Sequence, residues 1–334
     1  MTELARLVLA GLLVLAASGT APADDALKAK IGVLRLSSSA PVFIAQDKGY
    51  FREAGLDIEL KFFDAAQPIA VATTSGDVDF GITAFTAGLY NLAGKGTLKV
   101  IGGMCREKAG YPLIGYFAAN NAYAAGLKTP KDLAGKRIAV TQVGSSFHYS
   151  LGLLADKYGF KLSDVRIVPL QSLSNAAAAL KGQTVDAALL PVSTARKLMD
   201  DGGAKLLGWV GDETPWQLGA VFASPKTLGT KPLVTRLLDA LDRADREYHD
   251  VILASVKDGS AAINEQTKPL LEIIAKYTNL PVEQVVGNCA YVDPDGKLDV
   301  KNVDNQIKWL QEQGFVDKGF GVEAIIDKDF VKAD

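Results

Sequence analysis

Hydroxyl groups at the start of helical patterns are the first chemistry this sequence offers. Ser37-Ser38-Ser39 follows the apolar run 30–36, and Gly144-Ser145-Ser146 follows 136–141. The first amides of a helix have no intrahelical acceptor and carry the positive end of its dipole. A loop of this kind therefore holds an anionic oxygen without a cationic side chain. Ser38, Ser39, Ser145 and Ser146 are expected to supply donors to a carboxylate or sulfonate. Helix capping by Ser38 or Ser146 is the structural use of the same hydroxyls, and the two uses are compatible. Loops 83–86 and 190–193, with Thr86 and Pro191, also follow strand patterns. Ligands of α/β sheets bind beyond the carboxyl ends of strands.

Flat side chains gather near these loops: Phe85, Phe147 and His148, with Trp209 and Trp216 around a later segment. They suit stacking on a ring, so the anion is expected to carry an apolar or aromatic body. A neutral His148 is expected to donate to a ligand acceptor, with a backbone carbonyl as its alternative partner. Arg106 is a reserve cation, with a surface salt bridge as its other use.

Other chemistries fall away on spacing. Gly94-Lys95-Gly96-Thr97 lacks the phosphate-loop spacing. In Asp293-Pro294-Asp295-Gly296 the glycine comes too early for a calcium loop, and no glutamate stands at the twelfth position. There is no G-x-S-x-G elbow, His249 sits in a charged helical stretch, and Ser146 near His148 lacks an orienting acid. Two histidines and two cysteines are too few for a closed zinc site unless every copy is used. Lys and Arg total 36 against 38 Asp and Glu, which leaves no basic footprint for nucleic acid. Neither a metal nor a cofactor is expected.

The elements that position these loops come in two copies. Three landmarks recur at a constant offset of 107 residues: Ile31 with Ile138, Ser38 with Ser145, and Asp79 with Asp186. Around each set runs strand, serine loop, helix, glycine and strand, which implies two similar α/β units with mostly parallel sheets. One helix is expected over 41–53 and its counterpart over 147–158. After Trp216 a strand at 218–223 gives way to helical patterns at 231–254, 267–277, 281–286 and 303–313. The 334 residues exceed one ordinary core. The expected division is 26–103 plus 221–334 as lobe one and 104–220 as lobe two. The chain would cross at 104–111 and 213–223, with a ligand cleft between the lobes. Ahead of these units, Arg6, the apolar run 7–17 and Ala21-Pro22-Ala23 have the layout of a secretory signal peptide, 1–23, cleaved near Ala23. An exported protein, periplasmic in a bacterium, is expected. There Cys105 and Cys289 are either paired or two separate buried thiols.

Several stretches resemble one family. Gly49-Tyr50-Phe51 followed by Gly55-Leu56-Asp57-Ile58-Glu59 is similar to the GYF-x-x-x-GLDVE signature of substrate-binding proteins of ABC transporters. The branch is the one that serves nitrate, sulfonates, taurine, aromatic carboxylates and thiamine precursors. Ser75-Gly76-Asp77-Val78-Asp79-Phe80-Gly81, the stretch 133–146 and Gly182 to Ala188 resemble further elements of that family in the same order. The resemblance implies a two-lobed Venus-flytrap fold with a ligand bound between the lobes, which on the residues above is expected to be a small organic anion. It also implies delivery to an ABC permease with its ATPase; the protein is expected to be a monomer and not an enzyme. Two alternatives stay open: a ligand-sensing partner of a membrane receptor, and an enzyme of the thiamine-pyrimidine-synthase type. The cysteine cluster of the latter has no counterpart here.

Overall fold

The computed structural model describes residues 26–334; the expected signal peptide lies outside them. In chain order the strands are β1 (Leu27–Leu34), β2 (Leu56–Phe63), β3 (Phe80–Ala84), β4 (Lys99–Gly103), β5 (Cys105–Glu107), β6 (Ile114–Ala119), β7 (Arg137–Val140), β8 (Arg166–Pro169), β9 (Ala187–Pro191), β10 (Ala204–Trp209), β11 (Trp216–Gln217), β12 (Gly219–Ala223) and β13 (Tyr291–Val292). They form one sheet of order β2-β1-β3-β12-β4, a second of order β8-β7-β9-β6-β10, and a small one of order β11-β5-β13. The two large sheets are the same arrangement built twice, as the 107-residue offset requires. The chain has a mixed α/β architecture.

Within each large sheet the repeated β-α-β units give parallel pairs, β1 with β2 and β3, and β7 with β8 and β9. The fourth strand runs antiparallel, β12 on β3 and β6 on β9. The expectation of mostly parallel sheets is corrected to this extent. Each fourth strand reaches its sheet along a segment coming from the other sheet, and so enters reversed. Those segments pass through the small sheet, where Glu107 faces Trp216 and Arg106 faces both Gln217 and Tyr291.

The repeated aspartates explain part of the register. Asp79 Oδ2 accepts from the Lys30 amide at 2.7 Å, and Asp186 Oδ2 accepts from the Arg137 amide at 2.8 Å. Each carboxylate thus ties the turn before the third strand to the start of the first. The family motif at these positions is doing structural work.

The helix expected over 41–53 is two helices, Ala40–Asp47 and Tyr50–Glu53, broken at Gly49, whose φ of 79° no β-carbon-bearing residue adopts readily. The stretch expected over 231–254 is helical only through Lys231–Glu247; a π turn, Tyr248–Ile252, and a 3-10 turn, Leu253–Ser255, complete it. Its buried face, Leu233, Val234, Leu237, Ala240, Leu241 and Ala244, has the three-and-four spacing of a helix lying on a core. Late in the chain, helix Val300–Glu312 buries Val303, Ile307 and Leu310 in one cluster with Phe85, Tyr90 and Phe222 of the first sheet's side.

Candidate functional site

A cleft of about 660 Å³, open solvent included, lies where the carboxyl ends of the two sheets face each other. One wall comes from the first sheet and its loops: Leu34, Leu36, Ser38 and Ser39 after β1, Ala65 to Gln67 after β2, and Thr83, Ala84 and Thr86 after β3. The opposite wall is built from the repeat-related loops: Thr141, Gln142, Ser145, Ser146 and Phe147 after β7, Leu173 after β8, and Pro191 after β9. Met104, Leu113, Ile114 and Leu218, on the connecting segments, form the floor. Among the described residues, no Asp, Glu, Lys, Arg or His lines it. The backbones of the two walls meet where the Ala87 amide donates to the Gly144 carbonyl at 2.8 Å.

With no cationic side chain in the lining, the electrostatics come from helix starts. Helices Ala40–Asp47, Ala66–Ser75, Ala87–Gly94, Ser146–Tyr158, Leu173–Lys181 and Val192–Asp200 all begin at or beside the cleft. Several are capped by their own side chains: Thr86 accepts from the Leu89 amide, Ser145 from His148 and Ser172 from Asn175. The first two helices have no side-chain cap. Ser39 and Thr83, each 1% exposed, line the same wall and carry buried hydroxyls without a partner among the described residues.

Of the residues expected at the site, Ser38, Ser39, Thr86, Ser145, Ser146, Phe147 and Pro191 meet in this cleft. Phe85, His148, Trp209 and Trp216 do not line it. Phe85 stacks on Tyr90, ring centroids 5.0 Å apart, inside the core. Trp209 stands edge-on to Phe117 in the second sheet. Trp216 stands edge-on to Tyr149, 4.9 Å away. His148 is 4% exposed, and its Nδ1 accepts from the Gly144 amide at 3.1 Å. Its proton is therefore on Nε2, and burial lowers its pKa below the ordinary histidine value. It locks the loop before its own helix rather than facing a ligand. Arg106 lies apart from the cleft, paired with Asp334 at 2.5 Å and donating to the Lys297 carbonyl. Cys105 and Cys289 are both buried and free.

Sequence reasoning missed Ala65 to Gln67 and Leu173. These loops follow β2 and β8, so the carboxyl-end rule that picked the other loops applies to them, and the repeat offset relates them to one another. Gln67 is the polar group among them. Its Oε1 accepts from the Thr86 hydroxyl at 2.5 Å. A β-carbon at Gly88 would overlap its carboxamide, so glycine there gives the side chain its room.

Solved structures share this architecture. The alkanesulfonate-binding protein SsuA from Xanthomonas axonopodis pv. citri, bound to MOPS, superposes with a TM-score of 0.70 at 21% identity over 92% of this chain and 98% of its own. The desulfurization enzyme DSZB does so at 0.61 and 15% identity, over 91% and 97%. At such identities the likeness is one of fold, a fold that serves binding and catalysis alike. The taurine-binding periplasmic protein of Escherichia coli (strain K12) is 30% identical over 183 residues, 54% of this chain; the match spans only 53% of that relative's length. The family model described as NMT1/THI5 like matches residues 37–246, more than half of the chain, and the protein belongs to that family.

Proposed function

We propose that the protein is an exported solute-binding protein that captures a small organic anion between two lobes, 26–103 with 221–334 and 104–220. It would act as a monomer in the periplasm and deliver the anion to an ABC permease with its ATPase. The observation that carries this reading is a cleft between two sheets that holds helix starts and hydroxyls but no charged side chain. Such a lining suits an anion held by amide and hydroxyl donors and offers no acid, base or thiolate to turn it over; neither cysteine lines the cleft. The sulfonate- and taurine-binding relatives fit the same ligand chemistry.

The ligand's body is better matched by alkyl than by aryl groups. Four of the five flat side chains expected to stack on a ring lie off the wall, while Leu34, Leu36, Met104, Leu113, Ile114, Leu173 and Leu218 line it. An alkanesulfonate or aliphatic carboxylate is therefore favoured over the aromatic acid that the sequence suggested. A thermal-shift screen of alkanesulfonates, taurine, aromatic carboxylates, nitrate and thiamine precursors tests this. Ligand at a hundred times its Kd stabilises the native state by about 2.7 kcal/mol, a readily measured rise in Tm. Alkyl anions are expected to give the largest rise. Silence from every organic anion, or a chemically altered product after incubation, refutes the reading.

A further inference from the structure

We propose that Gln67 is the specificity-determining residue for the ligand's acid group, presenting its carboxamide N–H donors to a fully deprotonated acid under the control of Thr86 and Gly88. This inference rests on the anion-binding reading above.

The orientation of the carboxamide is set by Thr86. The Thr86 hydroxyl accepts from the Leu89 amide at 3.0 Å, so its own proton is free to be donated. It goes to Gln67 Oε1. That places Nε2 at the other end of the carboxamide, where it has no partner among the described residues, on a half-buried side chain lining the cleft. Thr86 is thus a positioning residue: the hydroxyl expected to serve the ligand serves Gln67 instead.

The backbone beside Gln67 is equally open. Ala65 occupies the cap position of helix Ala66–Ser75 and has no side chain able to accept. The repeat-related position on the other wall is Ser172, whose hydroxyl closes its helix by accepting from Asn175 at 3.1 Å. One copy of the unit has a side-chain cap at this position and the other has none. The Ala66 and Gln67 amides therefore stay available at the cleft. The buried, unpartnered hydroxyls of Ser39 and Thr83 line the same wall. This corner offers N–H donors and no carboxylate, which suits a sulfonate. A phosphonate that keeps one proton finds the neutral Ser39 and Thr83 hydroxyls there as acceptors for it, weaker than the carboxylate that Gln67→Glu would supply.

Calorimetric titration of butanesulfonate and butylphosphonate, at a pH where the phosphonate retains one proton, tests the assignment. The wild type is expected to prefer the sulfonate. Gln67→Ala should weaken sulfonate binding on the order of 10- to 100-fold, the worth of a hydrogen bond to a charged group. Gln67→Glu should weaken it at least as much while sparing or improving the phosphonate, which reverses the preference. Thr86→Val should weaken sulfonate binding, and Thr86→Ser, which keeps both hydrogen bonds, should restore it. Far-ultraviolet melts check that each variant folds. A wild-type protein that binds sulfonate, with Gln67→Glu leaving the sulfonate-to-phosphonate ratio unchanged, overturns the role of Gln67 alone. A wild-type protein that binds neither acid overturns the anion-binding reading with it.

Discussion

A methyl group added at Gly152 should separate the stability of the fold from the affinity of the cleft. Gly152 lies inside helix Ser146–Tyr158, on the second sheet's side, and a β-carbon there would overlap the indole of Trp309. Trp309 belongs to helix Val300–Glu312, which is anchored elsewhere. Gln306 accepts from the Tyr90 hydroxyl at 2.8 Å and donates to the Gln217 carbonyl at 2.8 Å. The ring also packs edge-on to Tyr149 at 5.2 Å and to His148 at 6.4 Å, so it has little room to turn. Alanine in place of glycine in a helix interior contributes about 1 kcal/mol whether the lobes are apart or together. On the two-lobe reading proposed above, the lobes close on the ligand, and overpacking against Trp309 then costs about 1–3 kcal/mol only while they are together. Gly152→Ala should therefore keep or raise the Tm of the ligand-free protein while weakening the ligand found in the screen roughly 5- to 100-fold. Small-angle scattering should show less compaction with ligand. Trp309→Ala in the same chain should recover part of the affinity. Unchanged affinity and compaction in Gly152→Ala would mean that this contact does not close with the cleft, and the two-lobe motion would lose its support.

Three further outcomes concern other side chains. Asp79→Asn and Asp186→Asn should each destabilise the fold by about 1–3 kcal/mol in urea melts, because each weakens a charge-assisted bond to a backbone amide; affinity measured below the melting range should not change, and a selective loss of binding would contradict their structural role. His148 is held neutral by burial, with its pKa below the usual 6.5, so the folded state binds fewer protons than the unfolded one in mild acid. The stability tied to this residue is complete above 6.5 and is lost as pH falls below that value toward the lower pKa of the folded state. His148→Gln should flatten the fall in Tm between neutral pH and pH 5, and an equally steep fall in the variant would remove His148 as its source. Burial pushes the Cys289 thiol up to about 12 and the Cys105 thiol higher still, so neither should react with a thiol reagent in the native protein. Both should react after unfolding without reductant, and protection there would indicate a disulfide.

How much of this was legible follows from what kind of signal each feature leaves. The doubled architecture showed in the offset between Asp79 and Asp186 because those carboxylates make the same bond in both units, and repeated geometry leaves repeated residues. The serine loops were visible because hydroxyls beside helix starts are chemically conspicuous. Gln67 was not, since its corner is defined by what is missing: a cap at Ala65 and a side chain at Gly88. The misplaced aromatics failed on direction. Trp216 lies in a strand of two residues, too short for any alternation to show which face it takes, and that face turns to Tyr149. His148, at the third position of its helix, bends back to the amide four residues earlier rather than outward. β13, also two residues long, left no periodic trace at all, although it completes the small sheet on which the connecting segments meet. Sequence pattern thus located the cleft loops after β1, β3, β7 and β9 and missed those after β2 and β8. Which side chains face into it is decided by short-range hydrogen bonds, such as Thr86 to Gln67 and Gly144 to His148, that no residue spacing encodes.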